Sequence, residues 1–154
     1  EALEKFIAMR EAEGARLKND VLTRSGFILE NVSRVETLSP ETVENYRNRL
    51  YQKLKEVLES TEVDMQRIVT EAAIFADKVA VDEETVRLRS HISQLEGLLE
   101  SDEAIGRKLD FIVQEMNREV NTIGSKCQDV NITKIVVEMK SEIEKSREQI
   151  QNIE

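Results

Sequence analysis

The sequence predicts an all-α protein: a bundle of about six helices, several of them long, that run antiparallel or cross one another. The 154-residue chain contains 5 Gly and a single Pro, too few for the closely spaced turns of a β-sandwich. Charged residues make up 34% of the chain and aromatic residues only 4%, a composition typical of long helices. Apolar residues recur at intervals of three and four, which is the helical period. Because this length corresponds to about one domain, residues 1–154 are expected to form a single helical domain.

The predicted helix boundaries follow from this periodicity and from the residues that interrupt it. Gly14 and Gly26 weaken the first helix and allow a bend in it. Ser39-Pro40 is typical of a helix start, so a second helix is predicted there. Asp82 is a suitable N-cap for the fourth helix, and Gly124 with the polar residues after it ends the fifth. The six predicted helices span about 2–36, 40–59, 62–79, 82–100, 103–125 and 133 to the end.

Composition also limits the functional classes. A single Cys excludes an internal disulfide and a Cys-rich zinc site, which indicates a reduced, intracellular chain. There is no apolar run of eighteen residues and no signal-peptide pattern, so no membrane association is expected. The chain begins at Glu1, already inside a helical pattern, and is therefore expected to be a fragment or a processed product.

The net charge of −9 has the wrong sign for a protein that binds nucleic acid through its bulk charge. The acidity is concentrated in residues 61–102, where ten Asp and Glu face four Lys and Arg. Residues 103–126 are locally balanced.

The fifth predicted helix carries the densest polar pattern. Opposite its apolar face on a helical wheel lie mainly amide and arginine side chains: Arg107, Asp110, Gln114, Asn117, Arg118, Asn121 and Ser125. Such groups bind phosphate, ribose and base edges, and they are equally suited to hydrogen bonds between helices. On spacing alone, a structural or oligomer-interface role is favoured.

Glu115 and Glu119 lie between the two faces of this helix, one turn apart and of like charge, which slightly destabilises an isolated helix. A divalent cation such as Mg²⁺ or Mn²⁺ would offset the repulsion, since it prefers carboxylate oxygens. Salt bridges to another helix would have the same effect, and the residues alone favour that alternative.

The fourth predicted helix places the single His beside charged residues. Glu84, Arg87 and His91 share a face with Leu88, so these polar groups are expected to be partly buried and hydrogen-bonded to one another. A His with a carboxylate neighbour is suited to general acid–base catalysis. A His on an inward face is more often an ordinary core residue. Cys127 lacks the sequence context of a catalytic cysteine.

Four segments together are specific enough to indicate a family. Residues Gly106 to Lys126 follow the pattern Gly-Arg-x-Leu-Asp-Phe-x-x-Gln-Glu-x-Asn-Arg-Glu-x-Asn-Thr-x-x-Ser-Lys, and the others are 10–17, 83–91 and 147–154. This set resembles the bacterial YicC (YicC/YloC) family over essentially the whole chain, which would correspond to the C-terminal half of a protein about twice as long. The sequence departs from the family pattern at Ala80, where an acid is expected, and at Cys127, where a small polar residue is more usual. The missing acid would weaken any metal site that used it.

The resemblance implies a cytoplasmic, metal-dependent endoribonuclease that assembles around RNA as a homo-oligomer, a hexamer in the complete protein. Carried over by position, the expected catalytic residues are His91, Glu84, Glu115 and Glu119. The residues expected to contact RNA are Arg87, Arg107, Gln114, Asn117, Arg118, Asn121 and Lys126. The expected ligands of the divalent cation, Mn²⁺ or Mg²⁺, are Glu115, Glu119 and Asp110.

The predicted function is therefore hydrolysis of RNA phosphodiester bonds, in which this chain supplies RNA-contacting and catalytic residues. The alternative is a non-catalytic helical module that binds RNA or mediates oligomerisation. Residues 1–154 alone are expected to fold but to show little or no nuclease activity.

Overall fold

The computed structural model describes residues 1–58, 65–101 and 105–152, and within these ranges it contains helices and no strand. The helices are α1 (Ala2–Leu58), α2 (Met65–Val79), α3 (Asp82–Leu99), α4 (Gly106–Lys126) and α5 (Val130–Gln151). The all-α prediction is confirmed. The prediction of about six helices is wrong for the described ranges, because the first two predicted helices form one. Residues 59 and 62–64, 103–104 and 153–154 of the predicted helices lie outside the described residues.

Pro40 lies inside α1 instead of starting a new helix. A proline in a helix removes one backbone hydrogen bond and costs about 3 kcal/mol. The buried positions Val32, Val35 and Ser39 keep their helical spacing up to Pro40. We infer that burying this continuous stripe against the rest of the bundle offsets the local cost, so tertiary packing overrides the start signal.

The helix ends also differ from the prediction in detail. Asp82 is the first residue of α3, and Val81 precedes it without a side-chain cap. α4 continues two residues past Gly124. α5 begins earlier than predicted, because the Asp129 side chain accepts a hydrogen bond of 2.9 Å from the backbone N–H of Ile132.

Helices α1, α3, α4 and α5 form a four-helix bundle around one hydrophobic core. Cross-helix ion pairs show that neighbouring helices are antiparallel, because residue numbers rise on one helix as they fall on the other. α1 pairs with α5 through Arg24–Glu142 and Arg34–Glu138. The apolar face predicted for α4 is buried in this core: Leu109, Ile112, Val113, Met116, Val120 and Ile123.

α2 packs on α1 outside this core. The rings of Tyr46 and Phe75 lie 6.4 Å apart, and the Lys78 ammonium group lies 5.0 Å from the centre of the Phe75 ring. At the other end of α1, residues 2–13 are exposed, including the apolar Leu3 and Phe6. No helix in the described ranges is long and apolar enough to span a membrane.

Candidate functional site

A four-residue ion cluster joins α3 to α4; it consists of Glu84, Arg87, Glu119 and Lys126. Oε1 of Glu84 accepts hydrogen bonds from Lys126 Nζ at 2.6 Å and from Arg87 Nη2 at 3.1 Å. Nε of Arg87 donates to Glu119 Oε1 at 3.0 Å. The side chains of Glu84 and Glu119 are only 3% and 8% exposed, so each carboxylate is compensated by a cation from its own or the facing helix.

The helix dipoles favour this arrangement. Glu84 lies in the first turn of α3, where the positive end of the dipole stabilises a carboxylate. Lys126 lies in the last turn of α4, where the negative end stabilises an ammonium group. Because the two helices are antiparallel, these ends meet. Lys126 Nζ also lies 3.5 Å from the backbone oxygen of Ala80.

Arg87 is the central cation of the ion cluster. Its hydrogen bond to Glu119 is the main cause that raises the pKa of its guanidinium group above the ordinary value. The charges of Glu119 and Glu84 and the hydrogen bond to Glu83 act in the same direction. A third bond of 3.3 Å reaches Glu83 on the surface. Oε2 of Glu84 is buried without a hydrogen-bond partner among the described residues, so part of the carboxylate is left unsatisfied.

His91 and Glu115 lie one turn further along each helix from the pair Arg87–Glu119. The antiparallel register therefore places them at the same level of the bundle. Nδ1 of His91 is buried without a hydrogen-bond partner in the described structure. Glu115 is partly exposed, and among the described residues its cationic neighbour is Arg118, 3.9 Å away. The described structure leaves both groups with spare hydrogen-bonding capacity.

The polar side of α4 lines an open groove of about 500 Å³ formed by Gln114, Asn117, Arg118, Asn121, Thr122 and Ser125. Nδ2 of Asn121 donates to Asn117 Oδ1 at 3.4 Å, and Arg118 is 75% exposed. Arg118 is the charged residue of the described groove lining, and the carboxylate of Glu115 lies 3.9 Å from it. The face predicted from the helical wheel is thus exposed to solvent in this chain.

Asp110 lies apart from the ion cluster, towards the start of α4. Its Oδ2 accepts a hydrogen bond of 2.8 Å from Gln114, and its Oδ1 lies 3.5 Å from Nε of Arg147 on α5. Arg107 and Arg147 line the same small pocket as Asp110. Arg147 was not among the predicted site residues. It lies between Ser146 and Ile150, which are both buried, so it borders the core.

The described residues contain no group of three His, Cys, Asp or Glu side chains that could hold a metal ion. Of the three carboxylates predicted as ligands, Glu119 is paired with Arg87 and Asp110 with Arg147. The three predicted ligands, Glu115, Glu119 and Asp110, therefore do not form a complete metal site by themselves. Cys127 is a free, half-buried thiol whose sulfur lies 3.5 Å from the Gly124 carbonyl oxygen.

Comparison with known proteins gives consistent matches. Residues 35–154 match the family model described as "Endoribonuclease YicC-like, C-terminal". A protein of Clostridioides difficile (strain 630) named "Probable endoribonuclease YicC" is 48% identical over 155 residues, covering 100% of this chain and 53% of that protein. A protein of the same name from Haemophilus influenzae (strain ATCC 51907 / DSM 11121 / KW20 / Rd) is 39% identical over 152 residues, covering 99% of this chain and 52% of its own length. The chain thus spans about half the length of the curated relatives it matches.

Proposed function

The chain belongs to the YicC-like endoribonuclease family through that family's C-terminal domain, and from this premise we propose that it contributes to the hydrolysis of RNA phosphodiester bonds. The observation that carries the proposal is the carboxylate-free polar groove of α4 beside the partly exposed Glu115. RNA is the proposed substrate, because an exposed guanidinium group and a row of amides suit a phosphate–sugar backbone with accessible bases.

In this proposal Arg118 holds a phosphate, while Gln114, Asn117 and Asn121 contact sugar or base edges. Arg107 extends the contact towards the start of α4. Arg118 and Arg107 are exposed, so a phosphate can reach both without rearrangement of the bundle. The exposed guanidinium groups of Arg118 and Arg107 offer local contacts for phosphate although the net charge of the chain is −9.

Glu115 and His91 are the proposed acid–base pair. In RNA hydrolysis a base removes the proton of the attacking hydroxyl or water, and an acid protonates the departing oxygen. Glu115 is partly exposed and has only a distant cationic neighbour, so its carboxylate is available as the base. The His91 imidazole, at the same level on α3, supplies the acid. Glu84 and Glu119 are proposed to act indirectly, because their hydrogen bonds within the ion cluster hold α3 and α4 in the register that brings His91 and Glu115 to one level.

A divalent cation, Mn²⁺ or Mg²⁺, remains part of the proposal as a prediction. When bound, such an ion stabilises the charge that develops on the phosphate oxygens. Glu115 is the predicted ligand with the weakest competing ion pair. Because the described residues do not assemble three ligands, further ligands would come from outside them, and no step is assigned to the ion. Assembly into a homo-oligomer and a cytoplasmic location also remain predictions.

The alternative function, a non-catalytic helical module for RNA binding or oligomerisation, is favoured by one observation. The charges of the ion cluster compensate one another across α3 and α4, as in an ordinary structural network. On this view Glu84, Arg87, Glu119 and Lys126 only hold the two helices together.

Cleavage of end-labelled single-stranded RNA separates the two functions. The natural protein that carries this chain is assayed with and without Mn²⁺, next to its variants Glu115→Gln and His91→Gln. Each substitution should reduce the cleavage rate by roughly 10²- to 10⁴-fold, as expected for loss of an acid or base, and leave RNA affinity nearly unchanged. Glu56→Gln, an exposed change on α1, is the matched control.

Unchanged cleavage after joint replacement of Glu115, Glu119 and His91 would remove these residues from the mechanism. RNA binding without cleavage, in either metal condition, would favour the non-catalytic module. For RNA contact itself, Arg118→Gln should weaken binding and lower the dependence of log K on log salt by about one unit.

A further inference from the structure

A second groove, of about 640 Å³, lies between the end of α3 and the start of α4. Its apolar side is formed by Leu98, Ile112 and Phe111, and Arg107 and Lys108 contribute to its lining. Phe111 is 60% exposed, so one face of its ring is open to the groove or to solvent. An exposed aromatic ring in a groove with two cationic residues differs from an ordinary apolar surface patch.

Gly97 keeps the α3 side of this groove open. A Cβ atom built at Gly97 would have no heavy atom within 4 Å, so there is free space above the helix backbone at that position. A flat ligand can therefore approach the ring of Phe111 without moving either helix.

The groove continues the polar side of α4. Residues seven apart lie on nearly the same side of a helix, so Phe111 is aligned with Arg118, and Gln114 lies between them. The rise of 1.5 Å per residue separates Phe111 from Arg118 by about 10 Å, which a short run of nucleotides can span. Arg107 lies one turn before Phe111 on the same side.

We propose that Phe111, with Arg107 and Lys108, forms a stacking subsite for an unpaired base of single-stranded RNA. This inference rests on the proposed function and specifies its substrate: every base has a flat face that can stack on an aromatic ring, and a double helix does not offer that face. Charge complementarity favours this occupant, because Arg107 in the described lining of the groove and Arg118 further along the same side of α4 are exposed cations that suit a phosphate backbone.

Tryptophan fluorescence tests the subsite directly, because the chain contains no Trp. Phe111→Trp in the 154-residue chain places a single reporter in the groove. Val137→Trp, at a position that is 63% exposed on α5, is the matched control. A mixed-sequence single-stranded oligoribonucleotide should quench the emission of the first variant and not of the second. The same oligonucleotide in duplex form should quench neither.

Affinity measurements complete the test. Phe111→Ala should weaken binding of the single-stranded oligonucleotide about 5- to 150-fold, the range expected for loss of one stacked base, and Phe111→Tyr should retain most of it. Circular dichroism checks that all variants stay helical. Wild-type affinity in Phe111→Ala, or equal quenching of both reporters, would overturn the subsite while RNA binding stands.

Two further outcomes would also overturn it, each in a distinguishable way. If the unsubstituted chain does not bind RNA, this RNA subsite and the RNA contact proposed for this chain both fail. If the emission of the Phe111→Trp variant shifts to shorter wavelength with protein concentration in the absence of RNA, the groove is an interface between copies of this chain.

Discussion

Replacing Lys126 with Met tests whether the ion cluster stabilises the bundle. Lys126 is 31% exposed, and its Nζ lies 2.6 Å from Oε1 of Glu84, whose side chain is 3% exposed. The substitution keeps an unbranched side chain of similar length and removes the charge. It leaves the carboxylate of Glu84 with Arg87 as its remaining hydrogen-bond donor.

The expected loss of stability follows from the burial of the two partners. Removing one partner of a fully buried ion pair costs about 3–5 kcal/mol, and a hydrogen bond to a charged group contributes about 1.5–3 kcal/mol. Because Lys126 is partly exposed and Arg87 remains, we expect the lower range, about 1.5–3 kcal/mol. For a chain of this size that lowers the melting temperature by roughly 3–12 °C.

Urea denaturation followed by circular dichroism measures the loss, with Lys145→Met as the matched control. Lys145 is 50% exposed and lies 2.7 Å from Glu142, which is 18% exposed and keeps its bond to Arg24, so the control should change stability by less than about 1 kcal/mol. The double variant Glu84→Met/Lys126→Met should be less destabilised than the sum of the two single variants, with a coupling of at least about 1 kcal/mol.

A stability of Lys126→Met within about 0.5 kcal/mol of the unsubstituted chain would refute the reasoning, because that is the effect of an ordinary surface substitution. Lys126 would then not be held by Glu84, and its ammonium group would be free for the RNA contact that the family resemblance implies. The measurement therefore distinguishes a structural role of Lys126 from a binding role.

Two further predictions concern the rest of the bundle. The hydrogen bonds from Arg89 hold the pKa of Glu36 below its ordinary value of 4.5. This carboxylate therefore stabilises the fold above that pH, and its contribution is lost as the pH falls through the lower pKa of the folded state. In urea titrations below about pH 4.5, Glu36→Gln should lose stability less steeply than the unsubstituted chain. Gly26→Ala should raise the free energy of unfolding by about 0.5–1 kcal/mol because its site is open. Gly124→Ala should lower it by about 1 kcal/mol, because the new Cβ would lie 3.0 Å from Cγ1 of Val136. Equal changes in melting temperature for Gly26→Ala and Gly124→Ala would contradict this expected difference.

The helices were predictable from the sequence because burial and local spacing agree over most of their length. The apolar face of α4 followed from periodicity, and the approximate bounds of α2 to α5 followed from periodicity together with the residues that interrupt it. At Ser39-Pro40 the two signals conflict: the local residues indicate a helix start, while the buried stripe of α1 continues up to Ser39 and partly buried positions follow Pro40. A local rule cannot weigh the packing that a long helix gains from its neighbours.

The candidate site was predictable only in part, for a related reason. Helical spacing shows which side chains share a face, and it correctly grouped Glu84 with Arg87. It does not show which helix that face meets. The register between helices decides two of these contacts: the hydrogen bond from Lys126 to Glu84 and the ion pair of Asp110 with Arg147. This register is set by the topology of the whole bundle.

This register also separates the residues that hold the helices from those proposed to react. The carboxylate of Glu84 is only 3% exposed and its Oε1 accepts hydrogen bonds from two cations, so it offers little access to a reacting hydroxyl group. The reactive pair should therefore be the neighbours one turn along, His91 and Glu115, because both side chains are partly exposed and the described structure shows neither of them bonded within the ion cluster. On this argument a substitution in the ion cluster should lower stability first and cleavage only through it. Glu115→Gln should instead reduce the cleavage rate by roughly 10²- to 10⁴-fold while the urea midpoint stays within error, and the opposite pattern would assign the chemistry to the ion cluster.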